Sequence, residues 1–75
     1  MTKRELVEAL LHGKWKDIPD DEPVFLLRAQ DALASETVEK WALMARAMGV
    51  NPKKTKSAFD DAEEMLHWHT RRMPD

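Results

Sequence analysis

The segment LHWHTRR, residues 66–72, concentrates side chains that could bind a metal ion or a nucleic acid. It holds two of the three histidines, His67 and His69, on either side of Trp68. Imidazole nitrogen is a common zinc ligand, and an indole ring can stack on a base. Glu63 lies four residues before His67, which places both side chains on one face of a helix. Whether the backbone of this segment is helical or extended decides which of these side chains can act together.

A helix over this segment would separate the two histidines. Successive helical residues are about 100° apart, so His67 and His69 would point about 200° from one another. A zinc site needs three or four protein ligands, and no third ligand follows from this spacing. The sequence therefore predicts no metal and no cofactor. We expect His67 to form an exposed pair with Glu63, and we expect another segment or a partner to cover Trp68.

The rest of the chain offers little for catalysis. It has no cysteine, no glycine-rich phosphate loop and no nucleophile–base motif. The acidic runs DDE, residues 20–22, and DDAEE, residues 60–64, are typical of a capped helix start and a solvated helix face. We therefore expect a protein that is not an enzyme.

Length and charge limit the architecture and the partners. The 75 residues suffice for a single helical domain, 1–75, and a domain of this size buries only about 60% of its unfolded surface. Twelve basic residues against fourteen acidic ones argue against binding to nucleic acid by bulk electrostatics. No apolar run approaches the ~20 residues that span a membrane. We expect a cytoplasmic chain.

Apolar periodicity and capping residues predict an all-α fold, a small bundle of four helices with short connections. The predicted helices cover residues 3–12, 23–33, 36–48 and 52–71. Thr2 and Glu5 fit a capping box at the start of the first. Pro23 starts the second, although its first five residues also fit a strand. Ser35 and Asn51 are the predicted N-caps of the third and fourth.

The fourth predicted helix carries a regular seam, at intervals of four and three residues. That spacing is typical of a heptad core, in which two helices pack along their length. After Thr55, the seam residues are Phe59, Ala62, Leu66, His69 and Met73. Because the small side chain of Ala62 would permit close helix approach, we expect the seam to form the interface of a homo-oligomer, a dimer or larger.

Residues 44–59, MARAMGVNPKKTKSAF, resemble a helix-turn-helix. That family has a small residue in its first helix and a glycine at the turn, with apolar residues around them. The matching residues are Met44, Ala45, Met48, Gly49 and Val50. The resemblance implies DNA binding by the second helix through Lys53, Lys54, Lys56 and Ser57. Thr55 departs from the Val or Ile that the family prefers, and the acidic run on the same helix would repel phosphate.

Residues 21–50, DEPVFLLRAQDALASETVEKWALMARAMGV, are similar to segments of short phage and prophage accessory proteins. The resemblance implies a non-catalytic, homo-oligomeric protein that inhibits a host component, such as one used in antiviral defence. It would cover a host protein or sequester a nucleotide signal, and a minor structural or assembly role is the other accessory class. The rings and cations that could anchor either ligand are Trp15, Arg28, Trp68, Arg71 and Arg72.

Overall fold

Three helices form the regular structure of residues 1–69, the part of the chain that the computed structural model describes. They are α1 (Lys3–Leu11), α2 (Ala34–Ala47) and α3 (Pro52–Leu66). The all-α class is confirmed, whereas the prediction of four helices is wrong. None of these three helices is long and apolar enough to cross a membrane.

The predicted capping pair starts α1, and a close turn ends it. Thr2 Oγ1 accepts a hydrogen bond from the Glu5 amide at 3.2 Å. After the helix, the Trp15 amide donates to the Ala9 carbonyl at 3.0 Å. A Cβ at Gly13 would lie 2.9 Å from the Ala9 Cα, so this turn requires glycine. Within residues 1–69, α1 buries none of its residues and does not pack closely on α2 or α3.

Residues 23–33, predicted as the second helix, are not helical. The apolar run after the proline opens with a β-branched and an aromatic residue, both of weak helix propensity. Further along, the Asp31 amide donates to the Arg28 carbonyl at 2.9 Å, closing a turn. The Asp31 carboxylate also accepts from the Leu33 amide at 2.8 Å. Such a local bond competes with the helical pattern, so residues 12–33 form one long connector.

A Schellman motif ends α2 and sets the turn into α3. The Gly49 amide donates to the Arg46 carbonyl at 3.1 Å, and the Val50 amide donates to the Ala45 carbonyl at 3.0 Å. Gly49 has a φ of 80°, in the left-handed region that residues with a Cβ rarely adopt. The turn therefore depends on glycine at this position.

The two predicted N-caps have different outcomes. Asn51 caps α3 as predicted: its side chain accepts from the Lys53 amide at 2.9 Å, and Pro52 occupies the first turn. Ser35 does not cap α2, because the helix begins at Ala34, two residues earlier than predicted, and Leu33 holds the cap position without a side-chain bond. The Asp31 turn fixes this earlier start.

Small side chains make up the core between α2 and α3. The buried residues of the described chain are Ala34, Ser35, Ala42, Ala45, Thr55 and Ala62. Among them, Thr55 satisfies its hydroxyl by donating to the Pro52 carbonyl at 3.0 Å. No large side chain of residues 1–69 is fully buried. The helices thus pack closely but remove little apolar area from water.

The N-terminus connects α1 to α3 by charge. The Met1 ammonium donates to the Asp61 carboxylate and lies 3.8 Å from Glu64 Oε2. Partial burial lowers the pKa of this amine, but the hydrogen bond to Asp61 and the charges of Asp61, Glu64 and Glu5 outweigh burial. The net effect raises the pKa above its ordinary value near 8.0.

Candidate interaction surfaces

The histidine segment lies at and beyond the end of α3, which stops at Leu66 rather than at residue 71. His67 is the C-cap residue, and its ring lies 3.0 Å from Glu63 Oε1, so the expected exposed pair is present. Trp68 and His69 follow the helix, with ring centroids 4.6 Å apart and planes inclined at 34°. Two of the last four helical residues are glutamates, which the helix dipole disfavours at a C-terminus.

The structure groups no metal ligands at this end of α3. Nowhere in residues 1–69 do three His, Asp or Glu side chains lie close enough together to hold a metal ion. His67 and His69 both follow the last helical residue, so the helical spacing that predicted their separation does not apply to them. Trp68, which we expected to be covered, is half exposed, and its ring lies against that of His69.

The predicted seam is divided between the interior and the surface. Ala62 is buried against α2, as is Thr55 before it, so the centre of the seam packs within the chain. Phe59 is partly covered by Arg46, whose guanidinium carbon lies 5.2 Å from the ring centroid. Leu66 is half exposed. Because α3 ends there, His69 is outside the helical register that placed it in the seam, and Met73 lies outside the described residues.

The predicted ligand anchors do not converge on a cleft of the described chain. Trp15 is partly buried beneath the ammonium of Lys14, 4.7 Å from the ring centroid, while Arg28 is exposed. Neither of the two best-formed clefts is lined by Trp15, Arg28 or Trp68. The last two anchors, 71 and 72 in sequence, lie outside residues 1–69.

One of these clefts, of about 420 Å³, lies between the start of α2 and the end of α3. Carboxylates dominate its polar lining, which comprises Ser35, Glu39, Asp60 and Glu63. Two of these acids are engaged: Asp60 lies 2.8 Å from Lys56 Nζ, and Glu63 pairs with His67. Since no cation lines this cleft, a phosphate group would meet only negative charge there.

The residues that resemble a helix-turn-helix lie on α2, the Gly49 turn and α3, and they agree with that family only in part. Ala45 is buried and Gly49 makes the turn, as that family requires. Lys53, Lys54, Lys56 and Ser57 are all exposed on the first turns of α3. Lys56 is bound to Asp60, whose hydrogen bond and charge raise the lysine pKa. Met44 and Met48, two of the matching apolar residues, are exposed.

Sequence reasoning missed two exposed apolar surfaces. One is the α2 ridge, formed by Trp41, Met44 and Met48, which recur at intervals of three and four on one helix face. The Lys54 ammonium lies 5.9 Å from the Trp41 ring centroid at the edge of this ridge. The sequence shows this spacing, but the buried alanines on the neighbouring face of α2 recur as regularly. The spacing alone therefore does not tell which of the two faces is exposed.

The other surface is the connector segment 23–27, PVFLL. Val24, Phe25 and Leu26 are 76%, 86% and 65% exposed. The sequence pattern of these residues also fits a strand, and this alternative to the predicted helix was the signal that could have identified the surface.

Comparisons with protein-family models, with curated proteins and with solved structures give no match for this chain.

Proposed function

We propose that the chain is a non-catalytic, homo-oligomeric binding protein of phage or prophage type that inhibits a host component. It acts by covering a host protein or by sequestering a nucleotide signal. The observation that carries the proposal is the distribution of apolar side chains: four alanines form the buried apolar core, while fourteen large hydrophobic residues of the described chain are exposed. Exposed apolar surface of this kind is typical of a protein that contacts another molecule.

The accessible surface supports this conclusion. The chain exposes 6519 Å², whereas a folded monomer of its mass exposes roughly 4,700 Å². The difference of ~1,800 Å² exceeds the ~800 Å² that one partner contributes to a standard interface.

The hydroxyl groups near the clefts support binding rather than covalent catalysis. Thr55 is buried and its hydroxyl is held by the Pro52 carbonyl. Thr37 is exposed, but its hydroxyl donates to the Leu33 carbonyl at 2.8 Å. Ser35, the hydroxyl of the acidic cleft, is buried and has no histidine beside it in the cleft lining. A nucleophile needs both access and a general base.

The two modes of action require different surfaces. A protein target needs apolar anchors, which the α2 ridge and the 23–27 segment supply. A nucleotide needs a stacking ring beside a cation, and the described chain has three such pairs: Lys14 with Trp15, Arg46 with Phe59, and Lys54 with Trp41. The cleft between α2 and α3 includes the Phe59 ring, but the carboxylates of Glu39, Asp60 and Glu63 line it and would repel a phosphate. Both modes therefore use the outer surface of the helical hairpin and its connector.

The test is a pull-down from host lysate with the tagged chain, followed by denaturation of the eluate. Proteins are identified by mass spectrometry, and released nucleotides by liquid chromatography. Trp41→Ala should reduce recovery of the ligand, whereas Ser57→Ala, an exposed change on α3, should leave it unaltered. Recovery of neither a host protein nor a nucleotide above the level of an untagged control would contradict the proposal.

A DNA-binding regulator of the helix-turn-helix type is the second candidate, favoured by the Gly49 turn and the exposed lysines of α3. If Lys53, Lys54 and Lys56 each neutralise a phosphate, the logarithm of the affinity should fall with the logarithm of salt at a slope of roughly −3. Titration of labelled duplex DNA at several salt concentrations measures this slope. The absence of any binding at low salt would end this candidate.

A further inference from the structure

The 23–27 segment combines exposed side chains at Val24, Phe25 and Leu26 with backbone groups that form no hydrogen bond in the described chain. Within the described chain, the amides and carbonyls of residues 24–27 make no hydrogen bond. Before the segment, the Glu22 amide donates to the Pro19 carbonyl; after it, the Arg28 carbonyl accepts from the Asp31 amide. Turns thus delimit five residues of β-prone sequence whose backbone groups are available to another strand.

We propose that this segment pairs with the same segment of a second copy of the chain, as two antiparallel strands related by a twofold axis at Phe25. The proposal rests on the homo-oligomer of the proposed function and names its interface. In this register Phe25 faces its own counterpart, and Val24 faces Leu26 of the second copy. Each copy supplies the donors and acceptors that the other lacks, which is the property of a self-complementary interface.

Proline fits this register. Pairs alternate along antiparallel strands between hydrogen-bonded and non-hydrogen-bonded types. If the two copies of Phe25 form a non-hydrogen-bonded pair, Val24 with Leu26 forms a bonded pair, and Pro23 with Leu27 a non-bonded one. Pro23 then lies where no amide is needed. Four backbone hydrogen bonds form at the centre, two for each pairing of Val24 with Leu26.

The charges on either side of the segment favour an antiparallel orientation of the two strands, and they favour a second copy of this chain as the partner. The acidic run 20–22 precedes the segment and Arg28 follows it, with no ion pair at any of these residues in the described chain. In the proposed register Glu22 lies opposite Arg28 of the second copy at both ends. A parallel arrangement would place like charges together, which destabilises a strand pair.

The apolar side chains give the pairing its strength. Val24 and Leu26 share one face of the strand, and Phe25 lies on the other. Aromatic pairs facing each other across strands are stabilising, and a non-hydrogen-bonded position brings the two rings closest. An exposure of 86% for Phe25 is unusual for so large a ring and is removed by this contact.

Single cysteines test the register, because the chain contains no cysteine of its own. In Phe25→Cys the two Cα atoms would be about 4.5 Å apart, within disulfide range. In the matched control Val24→Cys the equivalent atoms would be about 8 Å apart, outside that range. Under mild oxidation, the dimer of Phe25→Cys should form at least roughly tenfold faster than that of Val24→Cys. Both positions are exposed, so neither change should impair folding.

A charge exchange gives an independent measurement that leaves the apolar residues in place. Glu22→Arg should weaken the dimer roughly tenfold, because it places two arginines together at each end. Adding Arg28→Glu should restore the wild-type dissociation constant. Sedimentation equilibrium measures both effects. Failure of the double variant to recover would overturn the proposed pairing.

The outcomes separate this inference from the proposed function. Equal or faster cross-linking of Val24→Cys overturns the register. No cross-linking of either variant, with a wild-type dimer in light scattering, overturns the interface at 23–27 and leaves the homo-oligomer standing. A wild-type chain that stays monomeric at all concentrations overturns both the interface and the homo-oligomer. Preferential cross-linking of Phe25→Cys supports the interface.

Discussion

Gly49 supports the turn between α2 and α3 through its backbone conformation alone. A Cβ at this position would meet no atom within 4 Å, so a substitution is opposed by backbone strain and not by a clash. We expect Gly49→Ala to lower the free energy of unfolding by about 1–2 kcal/mol. Gly49→Asn should lose less, because asparagine tolerates the left-handed region better. Urea denaturation followed by circular dichroism measures both; an equal loss would contradict the strain argument.

The Met1 ammonium makes folding stability depend on pH in the alkaline range. Its raised pKa means that the folded state holds the proton more tightly than the unfolded state. Its contribution is therefore fully present below the unfolded value near 8.0 and is lost as pH rises through the folded pKa. Cysteine and tyrosine, which also titrate in this range, are absent from the chain.

Asp61→Asn tests the origin of this dependence. It removes the hydrogen-bonded charge that raises the amine pKa, so the decline in stability above pH 8 should become smaller than in wild type. Thermal unfolding measured at intervals between pH 7 and pH 10 supplies the comparison. An unchanged pH profile in Asp61→Asn would show that the Met1–Asp61 contact does not stabilise the fold.

At the scale of the helices, α2 and α3 pack closely through small side chains. This close packing leaves no room for a charged side chain between them. Ala62 is 4% exposed and faces α2. We expect Ala62→Glu to cost at least about 3 kcal/mol, since it buries an unpaired carboxylate. Loss of helical signal in circular dichroism would follow at every protein concentration. Ser57→Glu, exposed on the same helix, should fold normally, and an equally folded Ala62→Glu would place the residue at the surface.

Capping residues in the sequence predicted the starts of α1 and α3 and the turn that ends α2, because the bonds that define them are local. Thr2, Asn51 and Gly49 each act on residues within a few positions along the chain. The failure at residues 23–33 has a physical cause of another kind. Their apolar spacing would stabilise a helix only if its apolar face were buried. The rest of the described chain provides no surface that would bury it. The Asp31 side chain instead stabilises a turn.

The end of α3 and the candidate surfaces were harder to predict for the same reason. Heptad spacing continues through His69 in the sequence, but helical structure stops at Leu66. A pattern of apolar residues does not reveal whether its partner is within the chain or in another molecule. The seam centred on Ala62 was predicted to face a second copy, and the structure places its centre against α2.

For the whole molecule, self-association should make thermal stability depend on concentration. A dimer that forms only from folded chains is stabilised by mass action as the total concentration rises. A tenfold increase in concentration should raise the melting temperature by roughly 3–5 °C for a chain of this size. Phe25→Asp should abolish this dependence while leaving the helical content unchanged. A wild-type melting temperature that is the same from micromolar to millimolar concentrations would argue against association.

The α2 ridge also has a chemical consequence. Met48 is 85% exposed and Met44 is 60% exposed, so both thioethers are open to peroxide. Oxidation would convert each to a polar sulfoxide without disturbing the alanine core beneath α2. We expect Met48 to be modified first, as measured by peptide mass spectrometry, with the circular dichroism spectrum unchanged. Since methionine sulfoxide reductases reverse the reaction, a surface made of methionine on this helix is sensitive to the redox state of the cell.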